Sequence, residues 1–359
     1  MVPRDEHALR RRRARAQLLH RPRAAGVAEV VGRLLAVQAQ DLPAARLALR
    51  ARATGLAPAD VDAALTDERS VVVAWLGRGT LHLVGRDDYP WLLALTAPTR
   101  LATSRRRLGQ EGVSPKDAER AVKTIEGALA EAGPLTRPEL AQRIAAKGIR
   151  TEGQATPHLL MLAALRGIAV LGPLRGDGRH AFALTRDWLG AAPSLPLEGA
   201  DRDAALAELG RRYLAGHGPA RAADLAAWSG LPLRDARAGL NAIASELAQG
   251  DDDLVDLTTR DRAPDAIPAR LLPAFDPYLL GWKDRTFAVP AAHATRVHPG
   301  GGMLRATATV DGLAVGTWSA AGGEVDLELF ARVASAAKAA LQAEADDVAR
   351  FVATSARPS

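Results

Sequence analysis

Ile168-Ala169-Val170-Leu171-Gly172-Pro173-Leu174-Arg175-Gly176-Asp177-Gly178-Arg179-His180-Ala181-Phe182-Ala183-Leu184 sets the architecture of the middle of the chain. Two short runs of β-forming residues, 168–171 and 180–184, flank a turn rich in Gly, Pro and Arg, and this predicts a β-hairpin. Helical patterns fit residues 115–132 and 154–166. Between them, Thr136 followed by Glu139 reads as a capping box that opens another helix. Three helices are thus followed by a hairpin.

The same order recurs. Gly133-Pro134-Leu135-Thr136-Arg137-Pro138-Glu139-Leu140-Ala141 is echoed by Gly218-Pro219-Ala220-Arg221-Ala222-Ala223-Asp224-Leu225-Ala226, an internal repeat at domain scale. Helices fit 201–217 and 233–249 around the second copy, with one clear strand at 254–257. Towards the N-terminus, helices fit 7–20, 27–37 and 58–67, followed by a hairpin of 70–76 and 80–84 around Gly77-Arg78-Gly79. Helices followed by a hairpin is the order of the winged-helix motif, a helix-turn-helix variant.

The expected fold is therefore α+β and mainly α, with three tandem winged-helix units, then a small β-sheet or barrel and a C-terminal helix. The expected divisions are 1–112, 113–198, 199–258 and 259–359. The last contains β-type runs at 270–289 and 303–318 and a closing helix over 325–352.

Composition narrows the function. The chain has 359 residues and no cysteine, which excludes disulfides, thiolate metal sites and a cysteine nucleophile. No apolar run approaches the ~20 residues of a membrane helix, and no signal peptide is evident, so a cytoplasmic location is expected. The formal net charge of +6 equals the excess in residues 1–23, where eight arginines face Asp5 and Glu6. A basic end suits a polyanion, although the chain is rich in arginine throughout. Phosphate-loop, G-x-S-x-G and H-E-x-x-H patterns are absent, so no cofactor and no metal are expected.

Attention falls on Leu34-Leu35-Ala36-Val37-Gln38-Ala39-Gln40-Asp41-Leu42-Pro43. In a continuous helix Gln38 and Gln40 would point about 200° apart. Pro43 disfavours helical geometry before it, so an unwinding end could turn both amides to one cavity. Alternatively both satisfy backbone groups at a helix terminus. Asp41 reads as a turn residue at the helix end.

Four stretches, LLAVQAQDLPAARLALRAR (34–52), WLGRGTLHLVGRDDYPWLLAL (75–95), RLLPAFDPYLLGWKDR (270–285) and VDGLAVGTW (310–318), together resemble the AlkZ/YcaQ-type bacterial DNA glycosylases of the winged-helix DNA-binding superfamily. The resemblance covers nearly the whole chain. It implies that Gln38 and Gln40 form the catalytic Gln-x-Gln motif of the AlkZ-like branch, associated with alkylated purines and interstrand crosslinks. It also implies a monofunctional enzyme of base excision repair, with double-stranded DNA carrying an alkylated purine or crosslink as partner.

Candidate DNA contacts are Arg78, Thr80 and His82 on the first hairpin and Arg175, Arg179 and His180 on the second. Arg105, Arg106 and Arg107 form a charge run. Lys283 and Arg285 alternate with period two. Each has a structural reading beside the functional one, as a solvated face, a half-buried strand residue or an internal ion pair. Three tandem units suit a monomer that wraps DNA. The rival expectations are a winged-helix transcription regulator, which would dimerise on a palindrome, and a protein that sequesters a genotoxic metabolite.

Overall fold

The computed structural model describes residues 5–20, 26–176, 178–321 and 323–355. Arg4, Arg21 and Arg23 of the basic end and Asp177 of the second hairpin lie outside the described residues. In chain order, α1 (Glu6–Ala16) and α2 (Val27–Leu34) lead to a short strand, β1 (Ala36–Gln38), then α3 (Leu42–Arg50) and α4 (Pro58–Thr66). The hairpin β2 (Val71–Leu76) and β3 (Thr80–Gly85) precedes α5 (Tyr89–Gln110) and α6 (Pro115–Ala132). Next come β4 (Leu135–Thr136), α7 (Arg137–Ala145), α8 (Ala155–Leu165), the hairpin β5 (Ala169–Leu174) and β6 (His180–Leu184), and α9 (Thr185–Leu189). α10 (Gly199–His217), α11 (Ala222–Ser229) and α12 (Leu233–Ala242) precede a third hairpin, β7 (Leu247–Gln249) and β8 (Val255–Leu257). The chain continues through β9 (Arg270–Leu272), α13 (Pro277–Leu280), α14 (Ala294–Val297), β10 (Thr307–Val310), β11 (Leu313–Ala321), β12 (Glu324–Leu329) and α15 (Ser335–Ser355). Helices and antiparallel sheets are mixed, as expected. No helix among the described residues is long and apolar enough to cross a membrane.

Two compact units result. One holds the described parts of Met1–Val61, Leu206–Trp228 and Pro232–Ser359, the other those of Asp62–Ala205 with Ser229–Leu231. In the second unit the strands run in the order β3-β2-β5-β6-β4. Both expected hairpins form, and they join through the antiparallel pairing of Val73 with Leu171. Helix α8 carries no charged residue, and most of its side chains are buried. It serves as a core helix against α5 and α6, because an all-round apolar helix has no face to offer solvent.

The repeat read from the sequence is also a repeat of hydrogen bonds. Thr136 N–H donates to Glu139 Oε2 at 2.6 Å, and at the matching positions Arg221 N–H donates to Asp224 Oδ2 at 2.9 Å. Leu135 pairs with Phe182 of the following hairpin, and Ala220 pairs with Val255 of its own. A carboxylate three residues into each helix satisfies a backbone donor that the helix start leaves open.

In the first unit, β12, β11, β10 and β9 form an antiparallel sheet in that order. Ala269, Leu271, Ala308 and Trp318 pack on Leu341, Ala345 and Val348 of α15. Glu344 on α15 accepts from Arg50 Nη2 at 2.6 Å and from Arg270 Nη1 at 3.0 Å, tying the end of α3 to β9.

Deeper in this unit lies a fully buried ion pair. Arg52 Nη1 and Nη2 donate to both oxygens of Asp276 at 2.9 and 2.7 Å, and neither side chain is exposed. Arg52 also donates to Ala48 O and to Gln17 Oε1, while the Gln17 amide donates to Gly216 O. The network therefore joins the ends of α1, α3 and α10 to the turn before α13.

Four sequence expectations need correction. Helix α2 stops at Leu34 rather than Val37, because Leu35 takes φ +66° and the chain becomes extended. Helix α3 was not anticipated, since Pro43 was read as a stop. It lies in the first turn of α3, where a missing N–H costs nothing. The closing helix begins at Ser335, because residues 324–329 alternate between outer acids and inner aliphatics and form β12 instead. Helix α12 ends at Ala242, giving way to β7.

The basic end is largely absorbed by the fold. Arg10 and Arg13 are buried, and Arg10 Nε donates to Asp311 O. Arg11 forks onto Asp311, Arg13 donates to Pro219 O, and Arg15 pairs with Asp261. The Arg13 guanidinium also lies 4.8 and 4.4 Å from the rings of Trp282 and Phe287. A helix built into a core is not a free tail for phosphate.

Removing one partner of a buried ion pair leaves the other charge unpaired, at a cost of roughly 3–5 kcal/mol. Arg52→Met and Asp276→Leu are each expected to lose about that much stability in urea unfolding, and the double variant to recover most of it. A single-variant loss under ~1 kcal/mol would contradict this reading of the network.

Candidate active site and nucleic-acid interface

The segment between α2 and α3 is shaped by three local features. Leu35 is fully buried with φ +66° and ψ −41°, an uncommon conformation for a branched side chain that costs on the order of 1–3 kcal/mol. It turns the chain out of α2 and into β1. At the far end Asp41, with φ −119° and ψ 108°, caps α3 by accepting from Ala44 N–H at 3.2 Å. Asp41 is thus a helix-end residue, as expected, though of the following helix.

Burial alternates through the segment. Val37 and Ala39 are buried, Gln38 is half-buried and Gln40 is exposed. Both amides are thus more exposed than the residues beside them on the core side. Gln38 is the last residue of β1, and Gln40 lies in the bend that leads to the Asp41 cap.

The other candidates are distributed as follows. Arg78 is exposed at the tip of the β2–β3 hairpin, between Gly77 at φ +52° and Gly79 at φ +91°. Thr80 and His82 share one side of β3. His82 Nδ1 lies 2.9 Å from Thr80 O, so Nδ1 carries the proton and Nε2 presents a lone pair. Burial depresses the imidazole from 6.5 to about 4, with Arg78 acting in the same direction against the Thr80 bond. The ring is neutral at physiological pH.

Arg105, Arg106 and Arg107 are exposed on α5, but successive helical residues turn by ~100° and cannot share one face. Arg175 and Arg179 are exposed at the base of the second turn, where Arg175 N–H donates to Arg179 O at 2.9 Å. Both draw Glu139 below its ordinary value, behind its bonds to Thr136, and Arg175 lies 3.9 Å from that carboxylate. His180 is half-buried at the start of β6.

Lys283 and Arg285 lie in a loop, not a strand, so the period-two alternation has no structural counterpart. Arg285 Nε donates to Leu279 O, and Lys283 N–H donates to Asp224 Oδ1. Gln38, Gln40, Lys283 and Arg285 belong to the first unit, and the hairpin and α5 candidates to the second.

Sequence reasoning missed Arg100. Its Nε donates to Gly77 O at 2.8 Å, and its position 23 residues downstream on α5 gives no local signal. The Gln17–Arg52–Asp276 network was equally invisible, because its members are far apart in the chain.

A family model described as DNA glycosylase AlkZ-like matches residues 31–351, and the chain belongs to this AlkZ-like family of DNA glycosylases. A similar protein from Streptomyces sahachiroi, named an interstrand DNA cross-link repair glycosylase, is 28% identical over 348 residues, covering 92% of each chain. The solved structure of the Streptomyces sahachiroi DNA glycosylase AlkZ is similar at a TM-score of 0.78 and 26% identity, covering 97% of this chain and 96% of that one. The matched region contains the Gln38–Gln40 segment and both hairpins of the second unit.

Because the folded His82 resists a proton that the unfolded chain accepts near 6.5, its neutral burial stabilises the fold fully above that pH. That contribution is lost progressively as the pH falls through about 4. His82→Gln should therefore flatten the acid side of the stability profile. A profile unchanged in urea midpoints between about pH 7 and 4 would contradict the assignment.

Proposed function

We propose that this protein hydrolyses the N-glycosidic bond of alkylated purines in duplex DNA, with Gln38 and Gln40 as the catalytic pair, and that it also unhooks interstrand crosslinks. The carrying observation is the kinked segment between α2 and α3, which leaves Gln38 half-buried and Gln40 exposed around a buried Ala39, in a chain of the AlkZ-like family. A similar protein is named for cross-link repair, which supports the second substrate class. The enzyme is read as monofunctional, cytoplasmic and monomeric.

The chemistry suits two amides. A purine alkylated at N7 or N3 is cationic and leaves as a neutral base, and the sugar gains oxocarbenium character. Little acid or base assistance is required. Two glutamine carbonyl dipoles can hold the attacking water and face the developing positive charge. The strained Leu35 and the Asp41 cap fix the ends of the segment, so the dipoles need little reorganisation during the reaction.

DNA is held on this reading by Arg78, Thr80, His82, Arg105, Arg106, Arg107, Arg175, Arg179, His180, Lys283 and Arg285. Exposed Arg78 carries the strongest case. Lys283 and Arg285 have the weakest, since loop geometry and an internal bond engage them. The repeated helix–helix–hairpin segments are read as winged-helix units, supported by the matching carboxylate bonds at Thr136 and Arg221.

Incubation with duplex containing N7-methylguanine should release the base and leave alkali-labile abasic sites. Losing one stabilising dipole costs ~10²–10³ in rate at comparable sites, and the lability of a cationic base should make the loss smaller here. Gln40→Ala is expected to lose activity, while Gln40→Glu retains it because it keeps the shape and adds a charge. No base release by the wild-type protein, with duplex bound, would favour the non-catalytic regulator.

A further inference from the structure

The tip of the β2–β3 hairpin is held from two directions. Arg100 reaches from α5, donates to Gly77 O at 2.8 Å and passes beside Gly79, where a Cβ would stand 3.7–3.9 Å from its Cδ, Nε and Cζ. Gly230, at φ +73°, packs so closely that a Cβ there would stand 3.0–3.2 Å from the backbone of Gly77 and Arg78. Any side chain at 230 would push on the turn itself. The result is a turn with little freedom, presenting the Arg78 guanidinium to solvent.

Arg100 thus spans both glycines that flank Arg78, which brings two cations together at one tip. Like charges held close repel, and Arg78 adds to burial in drawing the Arg100 guanidinium below its ordinary value. Among the described residues, neither arginine is hydrogen-bonded to or ion-paired with a carboxylate. Several other arginines of this unit are balanced. Arg166 pairs with Glu119, Arg186 with Glu126, and Arg175 lies near Glu139. A pair of guanidiniums on a restrained turn, without a counter-ion, is the arrangement that an external anion completes.

We infer that Arg78 and Arg100 form a two-arginine clamp for a single phosphodiester of the DNA backbone, with Gly230 as its backstop. The clamp rests on the proposed reading that duplex DNA is the ligand. Arg100 is the added residue. It binds phosphate and positions Arg78, and it takes no part in breaking the glycosidic bond.

The test measures affinity of the full-length chain for undamaged duplex as a function of salt, for wild type, Arg78→Gln, Arg100→Gln and the double variant. One phosphate neutralised contributes ~0.9 to the log–log salt slope. Each single variant should lower the slope by up to about that much, and the double variant by about 0.9 in total rather than ~1.8, because both cations serve one phosphate. Arg100→Gln also removes a turn contact, so melting is followed in parallel. Arg78→Gln touches only an exposed side chain and keeps the test valid if Arg100→Gln is unstable. Wild type binding steeply while Arg78→Gln or a folded Arg100→Gln keeps the full slope would overturn the clamp alone. A double-variant slope loss near ~1.8 would overturn the shared phosphate. A wild type that binds no duplex at low salt would sink the proposed function, and the clamp with it.

Discussion

The buried pair of Arg52 and Asp276 is the constraint on which the first unit depends. Charges without solvent need partners for their donors and acceptors, and here the partners of the Arg52 Nη atoms and of Asp276 reach across the unit. Gln17 bridges Arg52 to Gly216, Ala48 O accepts from Arg52, and Asp276 accepts from Tyr278 N–H. The ends of three helices are thereby registered against the turn that opens α13. Arg50, two residues earlier, is held by Glu344 on α15. The C-terminal end of α3 is thus fixed twice.

That anchoring gives the Gln38–Gln40 segment its definition. A short extended run has little stability by itself. It gains a fixed direction when the helix after it cannot rotate and the residue before it is forced through a left-handed conformation. The strain at Leu35 persists because its side chain is fully enclosed. The link runs from a distant salt bridge to α3, from α3 to its Asp41 cap, and from the cap to the two amides just before it. Helix α1 belongs to the same construction, through Gln17 and through Arg13 lodged between aromatic rings.

Much of this was legible in the sequence, and for physical reasons. The two hairpins of the second unit declare themselves by β-forming runs around glycine turns, and the repeat at Gly133 and Gly218 extends to matching hydrogen bonds. The motif Gln38-Ala39-Gln40 was found, but its conformation was not. Pro43 carries two meanings, a stop for the helix before it and a start for the helix after it, and only the Asp41 cap distinguishes them. The arginines of α1 looked like a free basic end because sequence gives charge without partners, and Asp311, Pro219 and Asp224 lie more than 200 residues away. Residues 325–329 lost to a strand what an amphipathic pattern had assigned to a helix, since short alternating runs fit both readings.

The central claim is that Gln38 and Gln40 act in the transition state rather than in folding or in holding DNA. It is tested most directly by single-turnover base release from N7-methylguanine duplex at saturating protein, using a Gln38→Ala, Gln40→Ala double variant whose melting and duplex affinity match wild type. The account predicts that the rate falls to near the spontaneous loss of the base while binding is kept. A folded double variant that releases the base as fast as wild type would contradict it.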